Sequence, residues 1–220
     1  MNSGMTAGPK VKVCGVTRPE DALLAAELGA DYLGLNFVQS SPRYLTIERA
    51  REIAAAVRGR FPSVGIAGVF VNHPPAEVEA IDREVGLDLL QFSGDEGADE
   101  VNRYARRAIK VFRTGGDPGP AALAAYPDVW ALLVDARHGV LYGGTGLAWP
   151  YAAVADLAAR RRVFVAGGLR PGNVGPALAG SRPYGIDVCS GVESAPGIKD
   201  RTLLERLFVE VRNGQGTPSS

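Results

Sequence analysis

The chain has 220 residues, 24 basic and 24 acidic side chains, and 46% hydrophobic residues. That length suits one large domain with ample core, and the balanced charge gives no field to draw in nucleic acid or a membrane surface. The two cysteines, Cys14 and Cys189, are too few and too far apart for a disulfide framework or a zinc spacing, and they fit a reducing compartment.

Met1 to Pro9 lacks the apolar run of a signal peptide, and no apolar stretch approaches the roughly 18 residues of a membrane helix. The expectation is a cytoplasmic protein with one domain over residues 11–212. Residues 1–10 and 213–220 are expected to be flexible extensions.

Lys12-Val13-Cys14-Gly15 reads as a first strand in which Lys12 and Cys14 share a face. Thr17-Arg18-Pro19-Glu20 fits a capping box, with Thr17 as N-cap of a helix that runs to Leu28 and stops at Gly29. Tyr32 to Phe37 is a second strand. A polar loop holding Ser41-Pro42-Arg43 precedes a helix from about Thr46 to Val57. Val64 to Val71 is a third strand, and Pro74-Pro75 opens a helix reaching about Val85. Leu87 to Phe92 is strand four, followed by a helix around Glu96 to Arg107.

The second half repeats this rhythm. Ile109 to Phe112 is a strand and Pro120 to Tyr126 a short helix. Trp130 to Val134, ending in Asp135, is strand six. A glycine-rich loop over residues 137–146 leads to a helix from about Trp149 to Arg160. Val163 to Ala166 is strand seven, followed by Gly167-Gly168 and a helix opening near Pro171. Tyr184 to Cys189 is strand eight, and Arg201 to Val211 closes the chain. Eight strands alternating with helices in short units predict a closed (β/α)8 TIM barrel. A doubly wound open sheet is the competitor, but neither a dinucleotide fingerprint nor a Walker loop is present.

In such a barrel the chemistry lies where strands end and helices begin, so position acts as a filter. The glycine pair Gly167-Gly168 after strand seven and Ser190-Gly191 after strand eight are candidates for a phosphate site, since backbone amides reach a phosphate only where side chains are absent. Two tight turns would need glycine as well. Alternation puts Ala131, Leu133 and Asp135 inside the barrel, and a partly desolvated carboxyl suits a general acid; a turn-capping aspartate is the plain alternative. Cys14 is either a small buried hydrophobe or a base, and as a base it needs nearby positive charge to hold the thiolate.

Strand eight neighbours strand one on closure, which predicts a Lys12–Asp187 charge pair inside the barrel and puts Asp187 among the site residues. Arg43 is either a fork for a substrate carboxylate or a solvated loop arginine. His73 and His138 form no metal set with the cysteines. The loop around Tyr142 to Gly146 is a flap or only a long loop, and Arg160-Arg161-Arg162 reads as a solvated helix end.

From about Val11 to Leu207 the chain resembles the phosphoribosylanthranilate isomerase family. The resemblance rests on Lys12-Val13-Cys14-Gly15-Val16-Thr17-Arg18-Pro19-Glu20-Asp21-Ala22, Ser41-Pro42-Arg43-Tyr44, Gly68-Val69-Phe70-Val71-Asn72, Leu133-Val134-Asp135 and Tyr142-Gly143-Gly144-Thr145-Gly146. Ala166-Gly167-Gly168-Leu169-Arg170-Pro171-Gly172-Asn173-Val174 and Asp187-Val188-Cys189-Ser190-Gly191-Val192-Glu193-Ser194-Ala195-Pro196-Gly197 complete it.

The resemblance implies an Amadori rearrangement of N-(5-phosphoribosyl)anthranilate, with Asp135 as general acid and Cys14 as general base. It also implies that Arg43 binds the anthranilate carboxylate and that the glycine turns bind the phosphate. It implies no metal or cofactor and no partner beyond the small-molecule substrate, in a monomer or homodimer. Two departures stand out: Gln91-Phe92-Ser93-Gly94 where the family usually has Gln-Leu-His-Gly, and Cys189 where it usually has serine, a change that marks Cys189 as packing. The histidine-pathway sister barrel is expected to carry aspartate at the position of Cys14, and a non-catalytic barrel to have lost Cys14 or Asp135.

Overall fold

A computed structural model describes residues 8–113, 123–135 and 151–214. The strands are β1 (Lys10–Cys14), β2 (Tyr32–Asn36), β3 (Gly65–Phe70), β4 (Leu89–Phe92), β5 (Ala108–Arg113), β6 (Ala131–Asp135), β7 (Val163–Ala166) and β8 (Gly185–Val188). They close in sequence order into a parallel barrel, as the alternating pattern predicts. The closing seam pairs Lys12 with Asp187 and Val13 with Val188.

Alternation then sorts the side chains. Ala67, Leu89, Ile109, Val111, Ala131, Leu133, Phe164 and Ala166 fill the interior, while Val13, Leu33, Ile66, Leu132, Val134 and Val188 face the helices. At the N-terminal end the interior is closed by aromatic rings. Trp130 meets Tyr32 and Tyr184 edge-on at 5.5 and 5.8 Å between centroids, and Arg162 lies over Trp130 at 5.4 Å. Arg162 is exposed, but it also serves as a lid on this aromatic floor.

The helices are α1 (Pro19–Leu28), α2 (Ile47–Arg60), α3 (Pro75–Val85), α4 (Ala98–Asn102), α5 (Tyr151–Ala158), α6 (Val174–Ser181) and α7 (Arg201–Asn213). Gly29 caps α1 as expected, its amide bonding back to Ala25 and Ala26. The capping box does not form. Arg18 is the N-cap residue, and the Thr17 hydroxyl instead donates to the Gly197 carbonyl at 2.6 Å.

The helix expected around Glu96 to Arg107 shrinks to α4 and a single 3-10 turn, Ala105–Arg107. Glu96 is held outside it, its buried carboxylate accepting from Lys110 Nζ at 2.7 Å and from the Asn72 and Gly94 amides. The helix expected near Pro171 opens only at Val174, because Asn173 uses its side chain to tie Arg170 and Gly168 into a loop, at 2.8 and 2.9 Å. Strand β1 begins at Lys10, and a hairpin of β9 (Glu193–Ala195) and β10 (Ile198–Lys199), which the periodicity does not predict, follows β8.

Of the helix predicted over Pro120 to Tyr126, the first three residues lie outside the described residues, as do the loop 137–146 with His138, residues 1–7 and the tail beyond Gly214, while Leu123 and Ala124 are helical. Among the described residues no helix is long and apolar enough to cross a membrane.

Candidate active site

The C-terminal end of the barrel opens into a cavity of about 370 Å³. Cys14 and Asp135 both line it, together with Arg43, Gly167-Gly168, Asp187 and Ser190-Gly191. All eight residues expected from sequence to form a site therefore share one cavity, although they come from strands and loops across the whole chain. Cys14 and Asp135 are both buried, at 9% and 7% exposure.

Each glycine turn has its own reason. Gly167 and Gly168 sit at φ +103° and +69°, where side chains are disfavoured. Gly191 is needed for close approach: a Cβ there would lie 1.9 Å from the Leu169 carbonyl oxygen, so this glycine lets the β8 loop press against the β7 loop. Asn173 braces the same loop through the bonds described above.

Beneath the mouth lies a buried charge layer. Lys12 is fully buried and donates to Asp187 at 2.9 Å, the pair that alternation and closure predicted. Burial pushes the Asp187 carboxyl up to about 7, against the opposing pull of Lys12. Lys12 keeps its charge, since Asp187 and Cys14 outweigh the cost of its burial. Gly34 leaves room for this group, because a Cβ there would come within 2.8 Å of Cys14 Sγ and 3.0 Å of Lys12 Nζ.

A second cluster, not expected from sequence, supports the other side. Arg43 forks Glu193, with Nε 2.9 Å from Oε1 and Nη2 on Oε2. Glu193 also takes Lys199 Nζ at 2.8 Å, and Lys199 donates to the Cys14 carbonyl at 2.6 Å. Burial raises the Glu193 carboxyl, but Arg43 and Lys199 overcome this and leave it below its usual range. Arg43 is thus neither a solvated loop residue nor free in the cavity; it is a lining residue already anchored by one carboxylate. The hint in sequence was slight, a glutamate and a lysine on either side of Ser194-Ala195-Pro196-Gly197.

Cys189 needs a correction. The change from serine to cysteine marks it as packing, but the residue lines the cavity, as Cys14 does, and its thiol donates to Glu193 Oε1 at 3.9 Å. The neighbouring Cys189, with Lys12 and Lys199, draws the Cys14 thiol well below its usual range, against its burial. Gln91 and Ser93, at the departure noted after strand four, also line the cavity, and the Gln91 amide donates to Ser93 Oγ at 3.1 Å. His73 is occupied by backbone, with Nε2 3.1 Å from the Phe37 carbonyl. Among the described residues no group of three or more His, Cys, Asp or Glu side chains is arranged to hold a metal ion.

A closed parallel barrel with an acid, a thiol and paired glycine turns at its C-terminal mouth defines an enzyme of the (β/α)8 class. Residues 11–210 match the N-(5'phosphoribosyl)anthranilate (PRA) isomerase family, and the chain belongs to that family. It is 47% identical over 205 residues to an N-(5'-phosphoribosyl)anthranilate isomerase of Myxococcus xanthus, covering 91% of this chain and 94% of that protein.

Among solved structures, the phosphoribosyl anthranilate isomerase of Thermotoga maritima superposes with a TM-score of 0.81 at 32% identity, covering 93% of this chain and 99% of that one. A phosphoribosyl anthranilate isomerase in complex with reduced 1-(o-carboxyphenylamino)-1-deoxyribulose 5-phosphate superposes with a TM-score of 0.80 at 30% identity and the same coverage.

Proposed function

We infer that the protein converts N-(5′-phosphoribosyl)anthranilate to 1-(2-carboxyphenylamino)-1-deoxyribulose 5-phosphate in tryptophan biosynthesis, with Cys14 and Asp135 as its proton-transfer groups. Family membership over residues 11–210 carries the activity. The observation that supports the roles is the single cavity holding a buried carboxyl from β6, a thiol from β1 and the glycine turns after β7 and β8.

Asp135 gives its proton to the ring oxygen of the ribose as the bond from that oxygen to C1 breaks. The nitrogen lone pair moves in to form an iminium ion at C1. Cys14, as thiolate, then removes the proton from C2. The electrons of that C–H bond form the C1–C2 double bond, and the C1–N double bond collapses onto nitrogen, which is the electron sink. The resulting enolamine tautomerises to the C2 ketone, with no external redox partner.

The substrate is anionic at both ends, and the cavity has a partner for each. The phosphate sits on the turns at Gly167-Gly168 and Ser190-Gly191, where backbone amides are approachable. Arg43 binds the anthranilate carboxylate through Nη1, because Glu193 occupies Nε and Nη2. Asp187, tied to Lys12, lines the floor on which the sugar rests. The ligand bound by the related enzyme has the same two anionic ends, a carboxyphenyl group and a phosphate.

The working unit is the barrel over 11–212, as a monomer or homodimer, and the two free cysteines support a reducing, cytoplasmic setting. The test follows loss of phosphoribosylanthranilate fluorescence. Cys14→Ala and Asp135→Asn are each expected to slow turnover by at least about 10²-fold, the scale of general acid–base catalysis. Near-wild-type turnover by either variant would remove that residue from the mechanism.

A further inference from the structure

Gln91 lines the cavity and has no part in the mechanism above. It lies on β4 in register with Val69 of β3, another residue of the cavity wall, and it is buried at 5% exposure. Its Nε2 donates to Ser93 Oγ at 3.1 Å, but Oε1 has no hydrogen-bond partner among the described residues. A buried acceptor left unpaired is costly. On the wall of a site, such a group is explained by a ligand that supplies the donor.

The loop that carries Ser93 is held from both sides. The Ser93 amide donates to the Phe70 carbonyl at 2.9 Å. Next in the chain, the Gly94 amide donates to the Glu96 carboxylate and the Gly94 carbonyl accepts from Lys110 Nζ, each at 2.9 Å. Asn72 completes the brace, its amide donating to Glu96 and its side chain accepting from the Asp95 amide. Ser93 is thus a fixed partner for the Gln91 amide, whose other end is set before a ligand arrives.

Strand order decides which part of the substrate meets this wall. In a closed eight-stranded barrel, β3 and β4 stand opposite β7 and β8. With the phosphate on the β7 and β8 turns and the ring oxygen toward Asp135 of β6, C1 and its nitrogen point across to β3 and β4. The hydroxyls occupy the other edge of the ring, toward Cys14 of β1. The ionised phosphate and carboxylate only accept, so the group that supplies a proton to Gln91 Oε1 is the N–H.

We propose that Gln91 Oε1 accepts the anilino N–H of the substrate and that Ser93 is the positioning residue that holds the amide for it. This deepens the isomerase reading and rests on it. The bond strengthens as the iminium ion forms, because a charged donor binds roughly twice as strongly as a neutral one. A contact stronger in the intermediate than in the substrate raises kcat and leaves KM nearly unchanged.

Turnover of phosphoribosylanthranilate by the wild type is measured first, and its absence would sink the isomerase reading itself. Given turnover, Gln91→Met keeps the side-chain length and removes the acceptor. It is expected to lower kcat by at least about tenfold, with KM within about threefold of wild type. Ser93→Ala leaves the acceptor in place and is expected to lower kcat by only about threefold. Reduced 1-(o-carboxyphenylamino)-1-deoxyribulose 5-phosphate carries a neutral amine, so its Kd is expected to change by less than about threefold in Gln91→Met. Equal losses of kcat in the two variants would make Gln91 a mere loop anchor, and an unchanged kcat in folded Gln91→Met would remove it from the reaction; either result overturns the proposal. If Gln91→Met does not fold, the crystal structure of the wild type with the same reduced product decides. Its amine nitrogen is expected at about 3 Å from Gln91 Oε1. An amine turned away from Gln91, or the carboxylate in its place, overturns the proposal.

Discussion

The two ends of the barrel interior solve opposite problems. At the N-terminal end, Tyr32, Trp130, Phe164 and Tyr184 close the barrel with rings in edge-on and stacked contact. At the C-terminal end the cavity is lined by Cys14, Asp135 and Asp187, with Lys12 paired to Asp187 and Lys199 to Glu193 beside them. An aromatic floor gains from every ring it buries. A charged mouth gains little stability from buried ion pairs, because desolvation offsets most of their attraction. The floor is thus built for stability and the mouth for chemistry.

Three substitutions test that division. The largest effect is expected at the floor: Trp130→Ala should lower the unfolding free energy by about 3 kcal/mol, measured by urea denaturation, with kcat/KM within about twofold of wild type. A large loss of kcat/KM in folded protein would mean that the floor shapes the mouth.

Gly191→Ala comes next. Its Cβ would collide with the Leu169 carbonyl and drive the two loops apart, and KM is expected to rise by at least about tenfold, or 1.4 kcal/mol. Gly168→Ala is the mild counterpart. A Cβ there meets nothing within 4 Å, but the backbone sits at φ +69°, so a strain of about 1 kcal/mol and a change in KM within threefold are expected. Equal effects on KM at the two glycines would show that conformation, not close approach, governs this part of the site.

The barrel was legible because its code is periodic and local: strands and helices alternate, and strand parity gives the inside face. Parity plus closure also gave the Lys12–Asp187 pair. The same closure brings the end of strand eight beside strand one, so the place of Cys189 on the cavity wall was within reach of the sequence. Likeness in size to serine argues for packing, but size says nothing of which wall of the barrel a residue faces.

Other features depend on partners that no local pattern contains. The Thr17 hydroxyl finds the Gly197 carbonyl instead of its own helix. Glu96 leaves its helix for Lys110. Arg43 is steadied by Glu193 from the far end of the chain. Each is a long-range contact that outweighs a local preference.

The central claim is a division of labour in which Asp135 opens the ring and Cys14 then takes the C2 proton. Turnover of substrate deuterated at C2 tests it most directly. Cys14→Ser, with a poorer base, should make proton removal slower and enlarge the primary isotope effect on kcat relative to wild type. Asp135→Asn should make ring opening limiting and shrink that effect toward unity. The opposite pattern, or the same isotope effect in both variants, would contradict the assignment.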